Sequence, residues 1–174
     1  MAAVGLALML PAVPRLHAQD NPGNDPLFAG TEQFAKGAKD STEVNLDKNM
    51  LNMAGNSLLT KKADGGELAK QLDLVEIRTY DYATPGQYKM EDVQKYSKKL
   101  DGGGWIHVVR ERSSSENADI CFRGGGDGEP SELVIVAAEP TEVSFIHLKG
   151  RLSLDDLSKV GQQYGAPALQ TRPH

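Results

Sequence analysis

Residues 133–138 read Leu-Val-Ile-Val-Ala-Ala, an apolar run with no polar interruption. A strand with one face in water alternates apolar and polar side chains, whereas a strand buried on both faces reads as a continuous apolar run. The run has the length of a strand and is too short for a helix that spans a bilayer of about 30 Å. The stretch therefore predicts the central strand of a sheet, with both of its faces covered.

Three further strands are predicted around this run. They cover residues 105–112, 118–123 and 143–149, where β-branched and aromatic residues alternate with other residues. Short polar segments connect the four strands, and short connections join antiparallel neighbours. The second half of the chain therefore predicts a four-strand meander, followed by an amphipathic helix over residues 153–165.

The first half of the chain alternates between helix and strand patterns. Helices are predicted at 27–39, 48–60 and 89–101, and strands at 41–46 and 74–82. Asp47 stands where its side chain can cap the second helix. The glycines at 102–104 end the third helix, because glycine adopts the left-handed conformation without strain. We expect an α+β fold, a mainly antiparallel sheet with the helices packed on one face.

The composition excludes several classes of protein. The 174 residues are 39% hydrophobic and 25% charged, which indicates one globular domain rather than a disordered chain. A formal net charge of -5 argues against a nucleic-acid-binding surface, which needs clustered basic residues. The single cysteine, Cys121, excludes an internal disulfide framework and a zinc site made of four cysteines.

Residues 1–18 are expected to be a signal peptide. Ala2 to Leu10 form a small and apolar run that is too short to span a bilayer, and Pro11 breaks any helix after it. The small residue Ala18 then offers a cleavage site. No cysteine lies near the cut, so we expect no lipid anchor, and no other run is long enough for a membrane span. These features predict a periplasmic or secreted protein.

The remaining boundaries follow from composition. A flexible lead-in is predicted over residues 19–26, where proline and glycine stand among polar residues. A single α+β domain follows over residues 27–167. The last residues, 168–174, are expected to form a disordered tail.

The sequence carries no recognisable catalytic or metal site. His107 and His147 lie on different predicted strands and could face each other if those strands paired, but no third ligand is indicated. Cys121 lies in mid-strand between apolar residues, which favours a small buried side chain over a nucleophile. The glycine-rich run at 124–129 has too few acids for calcium, which takes about 6–8 oxygens, and predicts a flexible hairpin loop. We therefore predict no catalytic residue, no cofactor and no metal.

Two groups of side chains are candidates for a partner-binding surface. They are Tyr80, Tyr82, Tyr88, Arg110, Arg112 and Arg123. Aromatic residues often carry the binding energy of interfaces, and the arginines, on neighbouring predicted strands, could present a basic strip to an acidic partner. The alternatives are an aromatic sheet face covered by a helix and arginines on a solvated face.

Several stretches, taken in order, carry a resemblance to a known family. They are Phe34-Ala35, Val44 to Asp47, Val75 to Tyr82, Gly104-Trp105, Leu133 to Pro140, Ile146 to Gly150 and Leu154 to Gly165. Together they resemble the DUF4252 family, a bacterial domain of unknown function, over residues 27–167. The resemblance implies a small exported protein and supplies no catalytic residues. Members of that family are often lipoproteins, and this chain departs from them because it has no cysteine at the cleavage site.

Two classes of function fit these observations. The first is an exported, non-enzymatic binding or regulatory module, with another envelope protein as the expected partner. Genes of the resembling family often lie near those of extracytoplasmic sigma and anti-sigma factors, which implies a link to envelope stress or signalling. The alternative is a hydrolase or other enzyme whose site is assembled from scattered residues. A deep pocket with convergent polar side chains would favour the enzyme, and a shallow apolar or tyrosine-rich groove the binding module.

We expect the exported protein to be cleaved after Ala18, because small residues before the cut are typical of signal-peptide cleavage sites. N-terminal sequencing of protein recovered from its native host measures this directly, and the expected first residue is Gln19. Protein that retains Met1 in the cytosol would contradict export.

Overall fold

The computed structural model describes residues 26–54, 70–124 and 130–152, which form a six-stranded antiparallel sheet with short helices. The strands are β1 (Asp40–Asp47), β2 (Leu72–Asp81), β3 (Ile106–Arg112), β4 (Asn117–Gly124), β5 (Pro130–Glu139) and β6 (Glu142–Gly150). The described α-helices are α1 (Lys48–Ala54) and α2 (Met90–Ser97), and the described 3-10 helices are Pro26–Phe28, Thr31–Ala35 and Lys98–Leu100. Across the sheet the strands follow the order β1-β2-β6-β5-β4-β3.

The apolar run of β5 lies in the middle of the sheet, between β6 and β4. Its side chains alternate, since Leu133 and Ile135 point to one face and Val134 and Val136 to the other. All four side chains are at most 4% exposed. The prediction of a central strand buried on both faces is therefore confirmed.

One face of the sheet, which we call the helical face, packs against α2 and the 3-10 helices. Phe145 of β6 lies at the centre of this core. Its ring centroid is 4.7 Å from that of Tyr96 in α2, 5.3 Å from Phe34 and 6.4 Å from Phe28. Aromatic pairs at such distances contribute about 0.5–1.5 kcal/mol each beyond the area that they bury. These contacts hold the helices against the sheet.

The opposite face, which we call the isoleucine face, carries Ile77, Ile120, Ile135 and Ile146. The helix α1 contributes Leu51, 1% exposed, to the same apolar cluster. The prediction that the helices pack on one face is therefore wrong for α1. The reason is that α1 follows β1 directly and turns its buried leucine toward the apolar side chains of this second face.

Two helix boundaries follow the sequence patterns. The backbone N–H of Met50 donates to Oδ1 of Asp47 at 2.8 Å, which caps α1 as predicted. Beyond α2, Gly103 and Gly104 have φ angles of 68° and 81°. A residue with a Cβ is strained in this conformation and glycine is not, so the chain can turn there from the helices into β3.

The predicted continuous helix at 27–39 is wrong. Gly30 has a φ angle of 95° and separates the 3-10 helices Pro26–Phe28 and Thr31–Ala35, and Gly37 has a φ angle of 85° before β1. Left-handed residues interrupt a right-handed helix, so the two glycines divide this segment into short pieces.

The remaining fold predictions either agree with the sheet or lie outside the described residues. The mainly antiparallel α+β fold is confirmed, and β3 to β6 are antiparallel neighbours in chain order. The signal peptide, the helix at 153–165, the tail and nearly all of the lead-in and of the 124–129 loop lie outside the described residues. Among the helices that the structure describes, none has the length and apolar character needed to cross a membrane.

Truncation of Ile135 should destabilise the protein strongly. Removal of a buried isoleucine side chain down to alanine costs about 2–5 kcal/mol. The matched control is Val108→Ala in β3, since Val108 is 53% exposed and its truncation should change the free energy of unfolding by about 0.5 kcal/mol or less. Urea unfolding followed by circular dichroism measures both variants. Equal stabilities would contradict the central position of β5.

Candidate functional site

The isoleucine face contains a partly open groove with a volume of 430 Å³. Its floor consists of Ile77, Ile146, Ile135 and Ile120. These four side chains stand directly opposite one another on β2, β6, β5 and β4. The floor is therefore a continuous apolar row across four strands.

The polar groups beside this row bind one another. The hydroxyls of Thr79 and Ser144 are 3.0 Å apart, and the Ser144 hydroxyl donates to Oε1 of Glu142 at 3.1 Å. The described residues that line the groove include no histidine and no cysteine. These lining residues offer apolar contact and hydrogen bonds, and among them the Ser144 hydroxyl is paired with a carboxylate rather than with an imidazole.

Acidic side chains form a row at one end of the groove, which we call the acidic row. It consists of Asp40, Asp81, Glu142 and Glu139, which stand directly opposite one another on β1, β2, β6 and β5. Among the described residues, the one cation within 4 Å of these carboxylates is Lys39, whose Nζ is 3.4 Å from Asp40. Like charges opposite each other on adjacent strands repel, so this end of the groove favours positive charge.

The candidate tyrosines lie on the helical face and are largely covered. Tyr80 is 0% and Tyr82 is 5% exposed, and Tyr88 is half-buried. The Tyr82 hydroxyl donates to the carbonyl of Phe34 at 2.6 Å, and the Tyr88 hydroxyl donates to the carbonyl of Glu139. Tyr80 and Tyr82 thus belong to an aromatic face covered by helices, which is the alternative that the sequence left open.

The candidate arginines contact carboxylates of the protein itself. Arg112 donates to Oδ2 of Asp119 at 3.2 Å, and Nε of Arg110 lies 3.7 Å from the same oxygen. Arg123 donates to Glu132 at 2.6 Å. The structure therefore brings Arg110 and Arg112 together at one buried acid and places Arg123 apart from them. Contact of these arginines with a partner stays a prediction.

A β-bulge at Val108 decides which side chains of β3 reach the helical face. His107 stands opposite Cys121, but Val109 stands opposite the residue just before Cys121, so Val108 is an extra residue in β3. A bulge changes the direction of the side chains around it. His107 and Arg110 therefore lie on the same face, although they are three residues apart.

His107, Asp119 and Cys121 form a compact group, which we call the His-Asp-Cys cluster. Nδ1 of His107 lies 2.5 Å from Oδ1 of Asp119 and 3.0 Å from Sγ of Cys121, and Sγ lies 3.2 Å from that Oδ1. Asp119 and Cys121 are 0% exposed. Three side-chain types that bind metals thus converge on the helical face of the paired strands β3 and β4.

Burial and, second to it, the neighbouring Asp119 carboxylate raise the pKa of the Cys121 thiol. A thiol with a raised pKa is protonated at neutral pH, and the protonated form is a poor nucleophile. Burial therefore favours the neutral form of the Cys121 thiol, whose pKa is raised.

His107 and His147 do not face each other. Their strands, β3 and β6, are separated by β4 and β5. His147 is fully buried, and its Nε2 lies 3.4 Å from Oε2 of Glu132. The His147 ring and the Arg123 guanidinium hold the pKa of Glu132 below its usual value. A site built from the two histidines is excluded by the order of the strands.

A buried ion network on β2 has no counterpart in the sequence predictions. Glu76 and Arg78 are 2% and 7% exposed. Arg78 donates to Oγ1 of Thr31 and to Oε1 of Glu32, both at 2.9 Å, and to Glu76 at 3.3 Å. These bonds tie the 3-10 helix Thr31–Ala35 to the sheet, so the network has a structural role.

The sequence contained one sign of the His-Asp-Cys cluster. Asp119 and Cys121 are two residues apart in a predicted strand, so their side chains share a face. A regular hairpin would place Val108 opposite Cys121 and direct His107 to the other face. The third member of the cluster could therefore not be found without the register of the bulge.

Comparison with known proteins adds one positive finding. A family model described as Domain of unknown function (DUF4252) matches residues 34–160, which is most of the chain. No curated protein and no solved structure matches the chain.

We predict that stability falls at alkaline pH as Tyr82 and Tyr88 ionise. Burial raises the pKa of both hydroxyls to about 12, whereas tyrosine in an unfolded chain has a pKa of about 10. The two neutral hydroxyls therefore stabilise the fold fully below about pH 10, and this contribution is lost as the pH rises through about 12. Urea unfolding across this pH interval measures the loss.

The double variant Tyr82→Phe with Tyr88→Phe is the control for this experiment. Phenylalanine has no ionising group, so the free energy of unfolding of the variant should fall less over the same interval. A titration of the folded protein in which every tyrosine ionises near pH 10 (about the value of an exposed tyrosine) would contradict the prediction.

Proposed function

Since the chain belongs to the DUF4252 family of domains of unknown function, we propose that it is an exported, non-enzymatic binding module of the bacterial envelope. Its ligand is a basic amphipathic helix of another envelope protein, which lies in the groove of the isoleucine face. The observation that carries this proposal is the apolar floor of four isoleucines beside a row of four acids, near which the described residues place one cation, Lys39. The compartment follows from the predicted signal peptide, and a role in envelope stress or signalling from the family resemblance.

The apolar floor of the groove supports the proposal that an amphipathic helix binds there through its apolar side chains. Amphipathic helices bind grooves by placing side chains of one apolar stripe against an apolar surface. The half-buried Ile77, Val44 and Ala137 offer the accessible part of such a surface. Ile146 and Ile135 continue the apolar row but are each 4% exposed. A volume of 430 Å³ is within the usual range of about 300–1,000 Å³ for binding pockets.

The acidic residues that line the groove support the proposal that the partner is cationic. Glu139 and Glu142 line the groove, and so do the exposed Glu111 of β3 and Glu116 of the turn between β3 and β4. None of the described lining residues is lysine or arginine. Lysines or arginines on the polar side of a bound helix would relieve the repulsion among these acids and would speed association.

The enzyme alternative has less support from the same residues. A hydrolase needs a nucleophile next to a base, and the described lining residues of the groove provide no histidine or cysteine. Cys121 faces the other side of the sheet and carries a raised pKa. Ser144 is hydrogen-bonded to Thr79 and Glu142 rather than to an imidazole.

The chain itself contains a competing occupant of the groove. The sequence predicts that an amphipathic helix over residues 153–165 follows the meander. That segment carries Asp155 and Asp156 against one base, Lys159. Its charge does not match the acidic row, and we therefore favour a basic helix from a partner.

The test uses the full-length mature protein and three labelled synthetic helices, with binding measured by fluorescence anisotropy. A leucine–lysine helix with an apolar stripe should bind, and its affinity should fall as salt is added. A scrambled leucine–lysine sequence lacks the stripe and a leucine–glutamate helix has the wrong charge, so both should bind much more weakly. Equal binding of either control would contradict the proposal.

Variants then locate the binding site. The double variant Glu139→Gln with Glu142→Gln should weaken binding about 2- to 30-fold, since an exposed ion pair contributes about 0.2–1 kcal/mol. Ala137→Phe should block the groove, because Ala137 lines it and is partly exposed. The matched control is Glu43→Gln with Glu91→Gln, two exposed glutamates outside the groove, which should leave the affinity unchanged.

Methyl NMR separates a partner helix from the chain's own segment. In the free protein, the methyl groups of Ile77, Ile120, Ile135 and Ile146 should give no contacts to residues 153–165. Contacts from Leu154 or Leu157 to these methyl groups would show that the groove is filled from within and would overturn the proposal.

A further inference from the structure

We propose that the His-Asp-Cys cluster binds a divalent transition-metal ion, with zinc as the preferred metal. The ligand atoms are Nδ1 of His107, Oδ1 of Asp119 and Sγ of Cys121. This site lies on the helical face at the β3 edge of the sheet, so it is independent of the groove on the isoleucine face.

The spacing of the three atoms fits a small metal ion after a modest adjustment. Their mutual distances are 2.5, 3.0 and 3.2 Å. Zinc bonds of about 2.0–2.3 Å in tetrahedral geometry place ligand atoms about 3.3–3.6 Å apart. Each pair must therefore separate by about 1 Å or less, and His107, at 19% side-chain exposure, is the ligand with room to move.

The groups behind the ligands are those that support a metal site. The other ring nitrogen of His107, Nε2, lies 3.1 Å from the carbonyl oxygen of Leu100. The other carboxylate oxygen of Asp119 accepts a hydrogen bond from Arg112 at 3.2 Å. Metal-binding histidines usually donate their second N–H to a carbonyl or carboxylate, and metal-binding carboxylates are themselves hydrogen-bonded. Nδ1 of His107 and Oδ1 of Asp119 are thereby left to face Cys121.

The chemistry of the ligands selects the class of metal. A thiolate and an imidazole favour zinc over magnesium and calcium, which prefer oxygen. Binding of the metal forms a bond to sulfur and releases the thiol proton of Cys121 to solvent. Three protein ligands leave a fourth tetrahedral position for water or another small ligand.

Arg110 is the cation that a metal must displace. Its Nη2 lies 2.7 Å from Nδ1 of His107, close to Nε2 of the same ring, and 2.5 Å from Oδ1 of Asp101. The Arg110 side chain is 36% exposed and Asp101 is 45% exposed. The guanidinium can therefore move toward Asp101 and solvent while keeping an ion-pair partner.

The role of Arg110 distinguishes a metal site from a purely structural ion network. If the cluster only neutralises buried Asp119, loss of Arg110 lowers stability and creates no affinity for metal. If the cluster binds metal, loss of Arg110 removes a competing positive charge. The variant Arg110→Ala should then bind zinc several-fold more tightly than the natural sequence.

The experiment titrates the untagged full chain with zinc chloride by calorimetry and with cobalt chloride by absorption spectroscopy. We expect one bound ion per chain, a rise in melting temperature with zinc, and a thiolate-to-cobalt charge-transfer band. Because Cys121 is the single cysteine of the chain, this band reports on the proposed site alone.

The variants Cys121→Ser and His107→Ala should each weaken zinc binding at least about tenfold, and Cys121→Ser should abolish the cobalt band. Circular dichroism confirms that each variant is folded. Because His107 is partly exposed, His107→Ala still tests the proposal if Cys121→Ser does not fold. The matched control is His174→Ala, at the end of the chain, which should bind zinc like the natural sequence. A missing cobalt band in the natural protein, or weaker zinc binding by Arg110→Ala, would overturn the proposal.

Discussion

The antiparallel pairing of β5 with β6 is the constraint on which the rest of the structure depends. Ile135 stands opposite Ile146, and Val136 stands opposite Phe145. The first pair belongs to the isoleucine face and the second to the helical face. A shift of one residue would exchange the faces of every side chain in the strand. For β6, it would direct Phe145 away from the helices and would bring Ile146 of the groove floor into the aromatic core.

The two faces differ in how their charges are compensated. On the helical face, Arg78 and Asp119 are buried and each has partners of opposite charge within hydrogen-bond distance. This is required because an unpaired buried charge is costly. On the isoleucine face, the carboxylates of Glu139 and Glu142 are exposed and have no cation close to them among the described residues. Water solvates these exposed carboxylates, so they need no cation beside them. Their negative charge is therefore available to a partner.

The strand β4 connects the two proposed sites. Ile120 points into the groove, while its neighbours Asp119 and Cys121 point into the His-Asp-Cys cluster. The alternation of side chains along a strand makes this possible, because consecutive residues serve opposite faces. The sites therefore share backbone and no side chains. Three consecutive residues contribute to two different chemistries, one apolar and one metal-binding.

The sequence alone determined those features that depend on local patterns. The uninterrupted run at 133–138 identified the central strand, Asp47 identified the start of α1, and the glycines at 102–104 identified the turn into β3. Each of these features depends on only a few neighbouring residues, since side-chain alternation, helix capping and left-handed backbone are local. The sequence did not determine which side chains meet across the sheet. His107 reaches Cys121 because one extra residue, Val108, shifts the register of β3, and the isoleucine row and the acidic row exist because strands far apart in the chain align. Register depends on the pairing of whole strands and on burial on both faces, and those constraints arise only when the complete sheet is assembled.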